Sequence, residues 1–228
     1  MSNFLSDKFF WICIEGIDAT GKTTMSKQIT KLLKQKYGHN YQIILLNEFS
    51  NCQTGKLIKR ELNKNFFFCL GKSEHYPLAE ILLLESDFIL QFEVIFSKKN
   101  NRKKIIISDR GPLTFFIYQK SRLSNKYINI KWDNWIKNNL SYIISEPDLY
   151  IILDCDVEEI KQRILKRDKR LLTNKEIIQI KQYQRQYKKF VNKFANKQNV
   201  IFLNKHSKDV YSTFSYITRE IEKEKALS

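Results

Sequence analysis

The stretch Phe9–Thr24 reads FFWICIEGIDATGKTT. Its first six residues are apolar on both faces, which predicts a buried strand of a parallel sheet. The next part, Gly16–Thr23, fits the pattern GxxxxGK[ST], in which the glycines let successive backbone N–H groups turn inward and form a nest for an anion. A helical periodicity begins at Thr23. This strand–loop–helix context favours a phosphate-binding loop over the alternative of a chance match.

Each position of this loop has a predicted role in binding a nucleoside triphosphate. We expect Lys22 to bridge the β- and γ-phosphates and the Thr23 hydroxyl to ligate Mg²⁺, while the N-terminus of the following helix adds partial positive charge. Glu15 and Asp18 are carboxylates beside an anion site, which is unfavourable unless they serve Mg²⁺ or position a reacting group. We expect Asp18 to orient those groups, with a solvated role as the alternative. The residues predicted to bind ATP are Gly16, Ile17, Asp18, Ala19, Thr20, Gly21, Lys22, Thr23 and Thr24.

A second signal follows another apolar run, Lys104–Ser108, which ends in Asp109-Arg110. A carboxylate at the carboxyl end of a strand beside a phosphate loop can hold Mg²⁺, so Asp109 joins Thr23 as a predicted metal ligand. Arg110 is predicted to place its guanidinium between donor and acceptor phosphates, where negative charge gathers in the transition state. The alternative is an ordinary ion pair at the end of a strand.

Strand-like and helix-like segments alternate along the chain, which predicts a doubly wound α/β fold with right-handed crossovers. The predicted strands are Phe9–Ile14, Gln42–Leu46, Lys104–Ser108, Leu149–Leu153 and Val200–Leu203. The predicted helices are Thr23–Lys36, Gly55–Leu62, Leu78–Phe96, Leu113–Arg122, Trp132–Ile144, Val157–Lys169, Lys175–Lys197 and Val210–Lys223. Asn63–His75 and Ser121–Ile130 are the predicted long loops. A length of 228 residues without a linker-like segment favours one domain over residues 1–228.

The formal net charge of +16 predicts an anionic partner, a surface enriched in lysine, or both. Thirteen of the Lys and Arg residues lie between Lys161 and Lys197, against two acids. Arg163 and Arg167 are four residues apart on a predicted helix and therefore share a face, so we expect a lid at about residues 163–175 that delivers arginines to the phosphates. Beyond it, the basic face of the predicted helix from Lys175 is best explained as solvated surface.

Four scattered cysteines form no CxxC pair, so neither a zinc site nor a disulfide framework is expected. No signal-peptide pattern precedes the first motif, and no window approaches the roughly 20 apolar residues of a membrane span. We therefore expect a cytoplasmic protein with no membrane partner.

Taken together, these motifs resemble the thymidylate kinase branch of the nucleoside and nucleotide kinases. Residues 14–24 are similar to the family signature EGxDGxGK[ST]T, and Asp109-Arg110 to its DR motif, with Thr114 and Tyr118-Gln119 at the DRxxxS…YQ continuation. Pro147-Asp148-Leu149 with Leu153-Asp154 resembles the PDL…LD strand, and Arg163 with Arg167 the RxxxR lid. Phe49 and Thr54–Ile58 resemble the segment near the acceptor nucleotide.

The resemblance implies a P-loop fold with a five-stranded parallel sheet flanked by helices, a helical lid, ATP with Mg²⁺ as the donor, and dTMP as the typical acceptor. It also implies a homodimer as a common assembly. The catalytic residues implied for this chain are Lys22, Arg110, Asp18, Arg163 and Arg167. The acceptor-binding residues implied are Glu48, Phe49, Arg110, Tyr118 and Gln119.

The chain departs from the family pattern at two acceptor positions. An arginine usually follows the second strand, but Asn47–Cys52 contains none, and the stretch Glu85–Phe88 lacks the arginine expected in the helix before the DR strand. Loss of two guanidiniums should weaken recognition of a phosphate dianion. The cations that could compensate are Lys56, Lys59, Arg60 and Arg110.

These departures leave an alternative open. In the related deoxynucleoside kinases a glutamate at the end of the second strand acts as base on a sugar hydroxyl, a role that Glu48 would fill while Gln91 reads a base edge. A regulatory GTPase is disfavoured, because Ser207 stands where NKxD needs its guanine-reading Asp. Nucleic-acid binding through residues 161–197 is not supported by any recognition motif.

Overall fold

The computed structural model describes residues 9–64, 68–70, 76–97, 102–118, 146–194, 199–204 and 209–227. Within this part of the chain five strands form one sheet in the order β2-β3-β1-β4-β5, and the pairings of β1 with β3, β1 with β4, and β4 with β5 are parallel. The predicted five-stranded parallel sheet is therefore confirmed. The strands are β1 (Phe9–Gly16), β2 (Gln42–Leu46), β3 (Lys104–Asp109), β4 (Leu149–Leu153) and β5 (Val200–Leu203).

Helices separate the strands, as the alternating pattern predicts. They are α1 (Lys22–Tyr37), α2 (Gln53–Leu62), α3 (Pro77–Phe96), α4 (Val157–Asp168), α5 (Asn174–Phe194) and α6 (Val210–Leu227), and residues 112–118 are also helical. Helix α6 extends four residues beyond its predicted end to Leu227, β1 extends two residues to Gly16, and α2 begins two residues early at Gln53. The predicted helix Trp132–Ile144 and the loop Ser121–Ile130 lie outside the described residues, as does most of the loop Asn63–His75.

The side chains of β1 alternate between two buried faces of the sheet. Phe10, Ile12 and Ile14 pack in one apolar cluster with residues of α1 and α6, including Ile29 and Ile217, both fully buried. The intervening residues, Trp11, Cys13 and Glu15, are also fully buried. Burial on both faces is what a central parallel strand requires, and it explains why β1 reads as a continuous apolar run.

Contacts group the chain into two compact units. The sheet unit comprises Phe9–Leu45, Arg102–Asp109 and Pro147–Ser228, and the helical unit contains Leu46–Asn101 and Arg110–Glu146. The phosphate loop, Asp109 and the predicted lid lie in the sheet unit, whereas Glu48, Arg110 and Tyr118 lie in the helical unit. The single domain over residues 1–228 stays a prediction. None of the helices in the described ranges is long and apolar enough to cross a membrane.

Candidate functional site

The phosphate loop begins where β1 passes close to β4. Gly16 has a φ of 135°, and a Cβ added there would lie 2.3 Å from the carbonyl oxygen of Leu153. Both the left-handed backbone and the backbone contact exclude a side chain. At the other end of the loop Gly21 has a φ of 101° and precedes the first residue of α1. Ala19, between the two glycines, also has a positive φ of 61°.

Lys22 is held inside this loop. Its Nζ donates a hydrogen bond to the carbonyl oxygen of Ile17 at 2.8 Å, and the residue is only 5% exposed. The Thr20 hydroxyl donates to the same carbonyl at 2.9 Å. The Lys22 ammonium is therefore held inside the curve of the loop, where a phosphate oxygen can replace the Ile17 carbonyl oxygen as its hydrogen-bond acceptor.

Thr23 and Asp109 meet at the carboxyl edge of the sheet. The Thr23 hydroxyl donates to Oδ2 of Asp109 at 2.5 Å, whereas Oδ1 of Asp109 is buried and has no hydrogen-bond partner among the described residues. A buried carboxylate oxygen without a partner is costly. A hydroxyl and a carboxylate are oxygen donors of the kind that Mg²⁺ prefers, and a hydrated cation would satisfy the orphaned oxygen. These two residues fit the predicted magnesium site.

Of the two predicted lid arginines, Arg163 contacts the phosphate loop. Nη1 of Arg163 donates to the carbonyl oxygen of Ala19 at 2.8 Å, and its Nη2 donates to Glu159, one turn earlier on α4. Arg167 instead bonds both carboxylate oxygens of Asp168, at 2.6 and 2.8 Å, and its side chain is 59% exposed. Arg163 is thus placed at the loop, whereas Arg167 would need to change rotamer to reach a phosphate there.

In the helical unit, Arg110 is the centre of the predicted acceptor residues. It is one of three non-glycine residues with a positive φ in the described chain, at 81°, and its side chain is only 7% exposed. Its Nε donates to Oε1 of Glu48 at 2.7 Å, its Nη1 lies 3.5 Å from the Thr114 hydroxyl, and its guanidinium lies 5.2 Å from the ring centre of Tyr118. Such backbone strain persists only where the surroundings hold it, and it clusters at functional sites.

The two remaining predicted acceptor residues are Phe49 and Gln119. Phe49 is half-buried next to Glu48, and Gln119 lies outside the described residues. Among the cations considered as substitutes for the missing arginines, Lys59 donates to the carbonyl oxygen of Ser50 at 2.9 Å and Arg60 pairs with Glu61 at 3.1 Å. Lys56 and Arg60 are exposed and Lys59 is half-buried, so Arg110 is the most deeply buried cation of the group.

Asp87 is a structural residue of this unit that sequence reasoning did not identify. The buried carboxylate of Asp87 accepts from the backbone N–H of Ser50 at 2.8 Å and from the hydroxyls of Ser50 and Thr54 at 2.5 and 2.6 Å. A Cβ at Gly55 would lie 2.2 Å from the Ser50 carbonyl oxygen, so α2 can approach this turn only with glycine there. The turn that follows Glu48 is thereby fixed to α3. The sequence signal that could have identified Asp87 is an acidic residue within the apolar run of α3.

Comparison with known proteins decides between the kinase families. A family model described as thymidylate kinase matches residues 14–214, which is most of the chain. The chain belongs to the thymidylate kinase family. Among curated relatives, a probable thymidylate kinase of Methanosphaera stadtmanae is 31% identical over 74% of this chain and 78% of its own length. A probable thymidylate kinase of Sulfolobus acidocaldarius is 36% identical over 68% and 69%.

Solved structures of thymidylate kinases share this fold. The enzyme from Ehrlichia chaffeensis superposes with a TM-score of 0.59 at 18% identity, covering 94% of this chain and 99% of the other. The enzyme from Candida albicans superposes with a TM-score of 0.58 at 23% identity, covering 96% and 93%. At this identity the likeness concerns the fold, and it agrees with the P-loop architecture expected from the sequence.

Helix α3 carries acidic residues without basic ones. The helix contains four acids and no Lys or Arg. Glu85 is 4% exposed, its Oε1 has no hydrogen-bond partner among the described residues, and burial raises the pKa of Glu85 to about 7. Near neutral pH this carboxyl is therefore only partly ionised, because solvation of the charged form is lost.

This buried carboxyl predicts a pH dependence of stability. The pKa of Glu85 in the folded chain, about 7, exceeds its ordinary value of 4.5, so the folded state binds more protons between these values. Protonated Glu85 therefore favours the folded state at acidic pH, and the free energy of unfolding falls by up to about 3 kcal/mol as the pH rises from 4.5 to about 7. Above this range the contribution of Glu85 changes little with pH. Glu85→Gln should remove this loss, so its free energy of unfolding should fall less than that of the wild type between pH 5 and pH 8.

Urea unfolding at pH 5, 6, 7 and 8 measures this difference. Glu93→Gln, which removes an exposed carboxylate from the same helix, is the matched control and should retain the wild-type pH profile. Parallel pH profiles for the wild type and Glu85→Gln would contradict a raised pKa of Glu85 in the folded chain.

Proposed function

We propose that this protein transfers the γ-phosphoryl group of ATP to dTMP, giving dTDP and ADP. Membership of the thymidylate kinase family supports the acceptor, and the phosphate loop with Lys22 in its curve supports the donor. The observation that carries the proposal is the buried guanidinium of Arg110. Arg110 follows Asp109 in the chain, and Asp109 bonds Thr23 of the phosphate loop.

The charge on these side chains accounts for the chemistry. A phosphate oxygen of dTMP attacks the γ-phosphorus, the bond from that phosphorus to the β,γ-bridging oxygen breaks, and its electron pair leaves with ADP. Lys22, on exchanging the Ile17 carbonyl for phosphate oxygens, stabilises charge on the β- and γ-phosphates. Arg110 stabilises the acceptor phosphate and Arg163 the transferring group, because guanidiniums match phosphate geometry. Asp18 is proposed to orient the reacting groups.

Mg²⁺ is proposed as the cofactor, held by Thr23 and Asp109. When bound, it neutralises charge on the β- and γ-phosphates. The two residues already share a hydrogen bond at 2.5 Å, so the oxygen donors are in place. We also propose a cytoplasmic location, from the cysteine pattern, and a homodimer, from the resemblance to the family.

The alternative of a deoxynucleoside kinase is not favoured. It needs Glu48 as a general base for a sugar hydroxyl, but Oε1 of Glu48 accepts from Arg110 at 2.7 Å. A carboxylate whose lone pair is engaged by a guanidinium is a poor proton acceptor. The same ion pair suits a phosphate acceptor, because a dianionic phosphate can compete with Glu48 for Arg110.

A coupled assay for ADP release with ATP and a panel of acceptors tests the proposed function. We expect turnover with dTMP, weaker turnover with dUMP, and none above background with thymidine, which lacks the phosphate that Arg110 would bind. Lys22→Ala should reduce kcat by two or more orders of magnitude, since the ammonium acts on charge that develops in the transition state. Lys34→Ala, an exposed lysine of the same helix, is the control and should keep wild-type kcat.

Thymidine turnover that equals dTMP turnover would contradict the proposed acceptor. Absence of ATP turnover with any nucleotide or nucleoside would contradict kinase activity itself.

The magnesium site gives a separate prediction that does not depend on turnover. Thr23→Val removes the hydroxyl while keeping the side-chain volume, so Mg²⁺ should no longer strengthen ADP binding as it does in the wild type. We expect about a tenfold loss of the Mg²⁺-dependent gain in affinity, measured by calorimetry with and without the metal. Thr23→Ser keeps the hydroxyl and should restore most of the gain. An unchanged metal effect in Thr23→Val would exclude Thr23 as a ligand.

A further inference from the structure

Glu15 is a buried acid at the first step of the phosphate loop. It is fully buried on the face of β1 that also carries Trp11 and Cys13, and it immediately precedes Gly16. Its backbone is in register with Ile152 of β4. A carboxylate is costly to bury and is unfavourable beside a site for polyanions, so its retention at this position needs a compensating role.

The carboxylate is held by donors from two elements. The hydroxyl of Tyr187, on α5, donates to Oε2 at 3.2 Å, and the thiol of Cys13 donates to Oε1 at 3.5 Å. Tyr187 is itself buried, with 3% of its surface exposed. Hydrogen bonds to a charged group are stronger than those between neutral groups. The Tyr187 hydroxyl is thus a specific link between α5 and the strand from which the loop emerges.

Neighbouring side chains of α5 make similar links to the end of β4. Nε2 of Gln184 donates to Oδ1 of Asp154 at 2.9 Å and to the carbonyl oxygen of Cys155 at 2.7 Å, while Lys188 pairs with the other oxygen of Asp154 at 3.3 Å. Residues 184, 187 and 188 lie on one helix face because they are three and four positions apart. Four polar contacts from three residues of this face therefore dock α5 against the carboxyl ends of β1 and β4.

The other end of α5 connects to the predicted lid. Thr173 and Glu176 form a capping box at its start, in which the Thr173 N–H donates to Glu176 at 2.7 Å and the Glu176 N–H donates to the Thr173 hydroxyl at 3.3 Å. Arg170 pairs with the same Glu176 at 3.1 Å. One continuous helix thus carries both Glu176, the partner of Arg170 in the predicted lid segment, and Tyr187, which bonds Glu15.

We propose that Glu15 and Tyr187 are positioning residues for the donor side of the site. They fix α5 to the start of the phosphate loop and so hold the predicted lid, residues 163–175, in the position from which it contacts the bound triphosphate. The inference rests on the proposed kinase function for its kinetic consequence. Neither residue needs to touch the nucleotide: Glu15 acts through the loop that follows it, and Tyr187 through the helix that follows the lid.

Tyr187→Phe tests this role because it removes only the hydroxyl. We expect the KM for ATP to rise about threefold to tenfold with the KM for dTMP unchanged, and the affinity for ADP to fall by a similar factor in calorimetry. Tyr183→Phe is the matched control. Tyr183 lies one turn earlier on α5, is equally buried, and its hydroxyl accepts from Gln179 of the same helix at 2.9 Å, so its loss should leave both KM values unchanged.

Glu15→Gln gives an independent readout, since it keeps an acceptor for the Tyr187 hydroxyl and should retain more ATP affinity than Tyr187→Phe. A purely structural role predicts instead that both tyrosine variants lower the melting temperature alike and leave the KM for ATP at the wild-type value. That result would overturn the proposal, as would an equal rise in both KM values. If the wild type does not phosphorylate dTMP, the kinase proposal fails separately, and ADP affinity in Tyr187→Phe still decides the positioning role.

Discussion

The approach of β1 to β4 at Gly16 is the constraint on which the site depends. The carbonyl oxygen of Leu153 would lie 2.3 Å from any Cβ at this position, so only glycine fits, and glycine also permits the φ of 135° with which the chain turns here. The turn places Ile17 so that its carbonyl holds both Thr20 and Lys22, which fixes the curve of the loop. Because β1 is also paired with β3, Asp109 is brought to the same edge of the sheet, where it meets Thr23.

Cations expected to act on phosphate are paired in this structure with carboxylates or carbonyl groups. Arg110 pairs with Glu48, Arg163 with Glu159, and Arg167 with Asp168. Such pairing keeps each guanidinium oriented while its charge is partly offset, and a more highly charged phosphate can replace the carboxylate as partner. The net charge of +16 is consequently a poor guide to the site, because a few placed cations matter there and many of the other described Lys and Arg residues are exposed, as on the outer face of α5.

Much of the fold was predictable from sequence because the deciding signals are local. The five strands are short apolar runs, and the loop combines glycines, a lysine and a threonine at fixed spacing, so predicting either needs no knowledge of distant residues. Asp109 was also predictable, since parallel strands end at one edge of the sheet. The link from Tyr187 to Glu15 was not, because it joins residues 172 positions apart that no periodicity connects. The role of Asp87 was missed for a similar reason, as its partners lie more than thirty residues earlier.

The most direct test of this account is a crystal structure with adenosine and thymidine joined through their 5′ positions by five phosphates. The account predicts that Lys22 leaves the Ile17 carbonyl for the phosphates nearest adenosine, and that Arg110 leaves or shares Glu48 to bind the phosphate nearest thymidine. A complex in which Arg110 keeps its pair with Glu48 and the thymidine phosphate is bound elsewhere would contradict the central claim that Arg110 receives the acceptor.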